Sequence, residues 1–252
     1  MNKKIYSCTD GEELALTAAA YMASLALDAV SLRGRCTLAL AGGRTPEGTY
    51  RALASGEMSE KIPWEQVCLF WGDERFTPLS HRHSNYRMAE EILLDRVPVP
   101  MENVFPVPTD RESPDQAAGE YEQTLRRLFH GHDLRTVHER TYPVFDLVLL
   151  GVGPDGHTAS LYDIAHIDPE ECRWVIPARA PESYPVRDRV SLSLPVINSA
   201  RNVLFLISGD EKREVLQRMM SRAEGSIPTT PAQMVQPAMS LVLMTDVAVR
   251  GF

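Results

Sequence analysis

Seven short runs of almost uninterrupted apolar residues, at 36–41, 67–71, 145–150, 174–176, 190–194, 203–207 and 241–244, recur along the chain with helix-patterned sequence between them. A strand exposed on one side alternates apolar and polar residues, whereas a strand that is apolar throughout is covered on both faces. Such cover is the condition of a parallel sheet packed between its own crossover helices. The pattern therefore predicts an α/β protein, a single doubly wound domain over residues 1–252 with a mostly parallel sheet and helices on both faces. At 252 residues and 44% hydrophobic, the chain has enough apolar side chains to bury one such core.

Helix starts fall between the runs. Thr45-Pro46 supplies an N-cap and a first helical residue, Ser84 precedes an apolar stretch at 88–94, and Ser113-Pro114 with Gln116 precedes one at 121–128. Near the N-terminus, Thr9 with Glu12 or Asp10 with Glu13 forms a capping box before the Ala/Leu-rich segment 14–30, so that segment reads as an amphipathic helix of the fold and not as a signal peptide. No run is expected to be long and apolar enough to span a bilayer. The proline-rich segment 97–115 and the polar segment 130–143 are expected to be loops. The second contains His130, His132 and His138 without carboxylate support or helical spacing, so no metal site is expected there.

The net charge of −8 excludes a global basic field for nucleic acid or an anionic membrane, so neither is expected as a partner and an anionic ligand would need a local cationic cluster. Cys8, Cys36, Cys68 and Cys172 stand singly, which fits thiols in a reducing compartment and points to the cytoplasm. The sequence does not set the oligomeric state.

Three strand ends carry chemistry. The run at 145–150 feeds into GVGPDGHT (151–158), which satisfies the G-x-G-x-x-G spacing and misses the phosphate loop G-x-x-x-x-G-K-[ST] by one residue, His157 standing where lysine belongs. Asp155 puts negative charge where a pyrophosphate would lie, Glu170 and Glu171 precede the next apolar run instead of ending it, and His157 is too short for the missing lysine. The residues instead make either a tight turn with a helix-capping histidine or a catalytic loop, in which His157 is a general base and Asp155 fixes its tautomer. The run at 36–41 leads into Gly42-Gly43-Arg44-Thr45 and a helix opened by Pro46. Backbone N–H groups, the Thr45 hydroxyl and the Arg44 fork there suit a monophosphate. The run at 67–71 ends in Gly72 followed by Asp73, Glu74 and Arg75, charges placed to face a cleft.

Taken together, LAGGRTPEGTYRAL (40–53), FWGDERFTP (70–78), HSNYRMAEEILL (83–94), FDLVLLGVGPDGHTASLY (145–162), RVSLSLPVINSARNVLFLISGDEK (189–212) and PAQMV (231–235) resemble the 6-phosphogluconolactonase family, in family order and over nearly the whole chain. The resemblance implies hydrolysis of 6-phosphoglucono-1,5-lactone to 6-phosphogluconate, in the oxidative pentose phosphate pathway, without metal or organic cofactor. It implies that His157 activates water and returns the proton to the ring oxygen, with Asp155 supporting it. Phosphate falls to Gly43, Arg44 and Thr45, with Arg189 and Lys212 as remote cations. Asp73 is expected among the substrate-binding residues, and Arg75 or Asn85 is expected to place the sugar or steady the oxyanion. The sequence departs from the family pattern at Asp163, where proline is usual, at Arg44, where serine is common, and in a C-terminal segment lacking a tryptophan.

Two other functions compete. An aminosugar-phosphate deaminase of the same fold group would carry an Asn-Glu-Pro element after the histidine turn, where this chain has Thr158-Ala159-Ser160-Leu161-Tyr162. A non-catalytic sugar-phosphate sensor would need no base and would need an output module, for which the segment before Cys36 has no room. No G-x-S-x-G nucleophile elbow is present.

Overall fold

The computed structural model describes residues 2–221 and 227–248; the side chain of His132 lies outside the described set. In chain order the elements are β1 (Asn2–Ser7), α1 (Gly11–Arg33), β2 (Cys36–Leu40), α2 (Arg44–Leu53), α3 (Gly56–Lys61), β3 (Val67–Trp71), β4 (Asp73–Arg75), α4 (Asn85–Ile92), β5 (Val104–Phe105), α5 (Pro114–Leu128), β6 (Leu134–Val137), β7 (Arg140–Pro143), β8 (Leu147–Gly151), β9 (Val175–Arg179), β10 (Asp188–Leu192), α6 (Leu194–Ser199), β11 (Asn202–Ile207), α7 (Arg213–Ser221) and β12 (Ser240–Thr245). Seven strands form one parallel sheet in the order β1-β12-β11-β8-β2-β3-β5. Every residue of β2 is buried, as are nearly all of β8 and β11, because helices cover both faces. Phe70, Phe129 and Phe145 pack ring against ring. Truncating any one of them to alanine costs about 3–5 kcal/mol.

The strand order places a switch point between β2 and β8. From β2 the chain winds outward through β3 and β5, and from β8 it winds the other way through β11 and β12. The two central strands share only the register pairs Leu38↔Leu147 and Ala39↔Val148 and then diverge, opening a crevice at their carboxyl ends. At their amino ends they are tied together. The Asp146 carboxylate accepts from the Thr37 N–H at 2.9 Å and is ion-paired with Arg33 at 2.8 Å and Arg201 at 3.2 Å.

Several elements differ from the sequence expectation. The runs at 174–176 and 190–194 are not strands of the parallel sheet; β9 and β10 form a separate antiparallel sheet with β4, in the order β4-β10-β9. The segment 130–143 is not a loop throughout, since β6 and β7 make a hairpin turning at His138 and Glu139 with φ of 48° and 64°. Two successive left-handed residues are what a two-residue hairpin turn demands. The proline-rich segment contains the two-residue strand β5. The strand β1 escapes a search for apolar runs because it is a mostly exposed edge, held by backbone pairing to β12. Helix α2 starts at Arg44, two residues earlier than its proline suggests.

The largest difference is α1. By length and composition its 23 residues are apolar enough to cross a membrane, contrary to the expectation that no run is. Here Leu14, Ala18, Ala19, Met22, Ala23, Ala26 and Ala29 are buried in the core, and Asp10 caps the helix by accepting from the N–H groups of Glu12 and Glu13, each at 2.9 Å.

Candidate active site

The crevice at the switch point is bounded by the connections that follow β2, β3, β8 and β11, the four central strands. Gly43, Arg44, Thr45, Asp73, Arg75, Asn85, His157, Arg189 and Lys212, separated by up to 169 positions in the chain, all line this one cleft. Asp155 stands behind His157.

Beyond β8 the chain folds into a turn closed by the Gly156 N–H on the Gly153 carbonyl and the Gly153 N–H on the His157 carbonyl, both at 2.9 Å. The hydroxyl of Thr158 donates to the Gly151 carbonyl at 2.8 Å, and the Ala232 N–H donates to the Gly156 carbonyl at 3.0 Å, which ties the 231–235 motif to the turn. His157 Nδ1 lies 2.6 Å from Asp155 Oδ1. In the neutral imidazole this assigns the proton to Nδ1 and leaves the Nε2 lone pair free to take one. Burial pushes the Asp155 carboxyl upward, but the hydrogen bonds and charge of His157 outweigh it, and the group ends below the usual carboxylate range. The ring fits because residue 153 is glycine: a β carbon there would lie 2.0 Å from His157 Nδ1.

Two aromatic rings that the sequence reading did not assign complete the wall. Tyr162 packs 4.7 Å from the His157 ring centre and Tyr184 meets it edge-on at 5.8 Å. Tyr162 belongs to the quoted GVGPDGHTASLY motif. Tyr184 lies in the connection between β9 and β10, where nothing in the local sequence marks it.

Two cationic poles flank the histidine. On one side, Gly43 takes a left-handed φ of 105° before α2, turning the helix N-terminus toward the cleft beside Arg44 and Thr45. Lys212 joins them, its Nζ donating to the Val152 carbonyl at 2.7 Å; burial pushes its pKa down and the nearby Arg44 adds to that, against the pull of Glu211 and Asp155. On the other side, Arg189 on β10 is the register partner of Arg75 on β4. Arg189 is only 4% exposed, with Nε donating to the Val186 carbonyl at 3.0 Å and the guanidinium over the Tyr184 ring. Burial lowers its pKa, and Arg75 contributes in the same direction. Among the described residues, none of Arg44, Lys212, Arg75 and Arg189 is ion-paired with a carboxylate. Arg189 thus stands beside Arg75 and lines the same cleft as Arg44 and Lys212.

Asp73 accepts from the Ser160 hydroxyl at 2.7 Å, linking the β3 connection to the histidine turn. Asn85 donates its amide to the Asp73 carbonyl at 2.8 Å, while its Oδ1 is buried without a partner against Gly42. A β carbon on Gly42 would fall 1.8 Å from that oxygen. Asn85 therefore braces two loops against each other. Glu74, which the sequence leaves as one charge among three, is fully buried and accepts from the N–H groups of Arg75, Asn85 and Tyr86 and from the Ser84 hydroxyl. The signal for it is strand alternation: in Asp73-Glu74-Arg75 the outer two face the cleft and the middle one faces the core. Among the described residues, no group of three His, Cys, Asp or Glu is placed to hold a metal ion.

The family model for glucosamine-6-phosphate isomerases/6-phosphogluconolactonase matches residues 9–244. The chain belongs to this family. The 6-phosphogluconolactonase of Synechocystis sp. is 38% identical over 218 residues, covering 86% of this chain and 85% of its own length. The structure of 6-phosphogluconolactonase from Trypanosoma brucei superposes with a TM-score of 0.82 at 30% identity, covering 96% of each chain. A monomeric glucosamine-6-phosphate deaminase superposes with a TM-score of 0.75 at 21% identity over 96% of this chain and 97% of its own, a likeness of fold. Both named activities of the family thus occur on this architecture, and the cleft residues must discriminate between them.

Proposed function

We propose that this chain is a 6-phosphogluconolactonase, hydrolysing 6-phospho-D-glucono-1,5-lactone to 6-phospho-D-gluconate in the oxidative pentose phosphate pathway. The observation that carries the reading is the His157–Asp155 pair set in one cleft with a cationic helix N-terminus. The phosphate is held by Gly43, Arg44, Thr45 and Lys212, which places the lactone carbonyl before His157. Nε2 takes a proton from water as the water oxygen attacks the carbonyl carbon, and Asp155 steadies the imidazolium that results. Arg75 and Arg189 face the negative charge that develops on the carbonyl oxygen. Collapse of the tetrahedral intermediate breaks the bond to the ring oxygen, which receives the proton from His157. The released hydroxyl and the carboxylic acid, which ionises at neutral pH, complete the balance.

We place the protein in the cytoplasm as a single domain acting on a phosphosugar lactone, a reading supported by four free cysteines and by the buried face of α1. The test is hydrolysis of freshly generated lactone, corrected for its spontaneous reaction, with wild type and His157→Ala side by side. Acceleration lost in the variant, with 6-phosphogluconate still bound, is the expected result. Acceleration equal in both overturns the role of His157, and none in either overturns the activity. Ammonia release from glucosamine 6-phosphate is expected to be absent, since no glutamate lies within 158–162.

A further inference from the structure

Two buried tyrosines make the same unusual contact at neighbouring strand ends. The Tyr50 hydroxyl, from α2, accepts from the Ala41 N–H at 3.0 Å and donates to the Ala41 carbonyl at 2.8 Å. The Tyr121 hydroxyl, from α5, accepts from the Trp71 N–H at 2.9 Å and donates to the Trp71 carbonyl at 3.3 Å. Both side chains are sealed from solvent, at 0% and 1% exposure. Each contact sits where the sheet runs out of partners. Pairing of β2 with β8 ends at Ala39↔Val148, two residues before Ala41, and pairing of β3 with β5 ends at Phe70↔Phe105, one residue before Trp71. A phenol offers one donor and an acceptor oxygen, the complement of one residue's N–H and C=O. Burial pushes both phenols up in pKa, which keeps that donor proton in place.

The residue after each contact opens a wall of the cleft. Ala41 leads into Gly42, Gly43, Arg44 and Thr45, and because Tyr50 lies on the helix that follows, its hydroxyl ties the end of β2 to α2 across the 42–45 turn. Trp71 leads into Gly72, whose N–H donates to the Leu40 carbonyl and whose carbonyl accepts from Leu192, and then into Asp73 and Arg75. Asp73 in turn holds Ser160 beside the histidine turn.

We propose that Tyr50 and Tyr121 are positioning residues with separable tasks: Tyr50 sets the anion loop at 42–45, and Tyr121 sets the Asp73 and Arg75 wall that serves the reacting carbonyl. This assignment rests on the lactonase reading for its kinetic half and on phosphate binding alone for the other half.

Phenylalanine at either position removes a single oxygen. Tyr50→Phe is expected to raise both KM for the lactone and the inhibition constant of inorganic phosphate about tenfold, with kcat within about twofold of wild type, a smaller loss than the roughly 100-fold that a full ångström of misplacement costs. Tyr121→Phe is expected to lower kcat about tenfold and leave phosphate inhibition unchanged. Kinetic constants equal to wild type in both variants, with only the melting temperatures lowered, would make these ordinary core hydrogen bonds and overturn the proposal. The same constants shifted equally in both variants would overturn the separation.

Amide exchange in the wild-type protein supplies a readout that needs no variant to fold. Saturating inorganic phosphate is expected to slow exchange at Ala41 and leave Trp71 unchanged; equal slowing at both, or none at either, overturns the assignment. If wild type lacks lactonase activity, the functional reading fails while the amide-exchange readout with inorganic phosphate still decides the role of Tyr50.

Discussion

His157 Nδ1 and Asp155 Oδ1 stand 2.6 Å apart, and the same carboxylate oxygen also accepts the His157 backbone N–H at 3.2 Å. One oxygen thus fixes both the ring and the chain that carries it. Replacing His157 with Gln is expected to lower kcat by about 10²–10⁴, the usual worth of a positioned general base. Asp155→Asn should lose less, because the amide oxygen can still accept from Nδ1. Full activity in His157→Gln, in steady-state assays corrected for spontaneous hydrolysis, would remove His157 from the base role.

Gly153→Ala tests the space that the imidazole needs. The new β carbon would fall 2.0 Å from Nδ1, so the ring must leave its place beside Asp155. A loss of about 100-fold in kcat is expected, in line with ångström-scale misplacement of a reacting group. Affinity for 6-phosphogluconate should change little, because residues 42–45 are untouched. Equal losses in kcat and in product affinity would show that the substitution disturbs the whole cleft.

Lys212→Met should act on binding. Removing one charge-assisted hydrogen bond to a phosphate, worth about 1.5–3 kcal/mol, lowers kcat/KM by roughly 10–150-fold. The change is expected in KM and in the inhibition constant of inorganic phosphate. A fall in kcat with KM unchanged would move Lys212 from the phosphate to the reacting end.

Glu74 makes a prediction about pH and stability. Burial raises its pKa in the folded protein above the ordinary carboxylate value, against the pull of four hydrogen bonds. At pH values between the unfolded and the raised folded value, the folded state therefore holds a proton that the unfolded state has released. The contribution of Glu74 to stability falls as pH rises from the usual carboxylate range through the raised folded value. Glu74→Gln leaves two of the four donors without an oxygen, at about 1–3 kcal/mol each, and removes the titration. Urea midpoints for the two proteins should accordingly draw closer between mildly acid and neutral pH. A gap that widens over that range would contradict the sign.

Much of the site was legible because its residues follow directly on buried strands. An apolar run ending in Gly-Gly-Arg-Thr, Gly-Asp-Glu-Arg or Gly-Pro-Asp-Gly-His announces both the strand and the polar residues that line the cleft at its end. Sequence was silent where backbone pairing or tertiary contact decides. The polar edge β1 and the hairpin β6–β7 have no apolar pattern to betray them, and the antiparallel pairing of β9 with β10 depends on partners distant in the chain. Tyr50 and Tyr121 look like any aromatic residue on the inner face of a helix, since the task of a hydroxyl depends on where a strand stops. Tyr184 reaches His157 from a connection whose path no local spacing reveals.

The strands β2 and β8 are clasped at one end by Asp146, with Thr37, Arg33 and Arg201, and spread at the other end to form the cleft. The central sheet is thereby a peg whose clasp and jaws lie at opposite ends of the same two strands. The anion loop that follows β2 and the histidine turn that follows β8 therefore stand on a shared base, joined on the far side of the sheet by a buried ion cluster that touches neither of them.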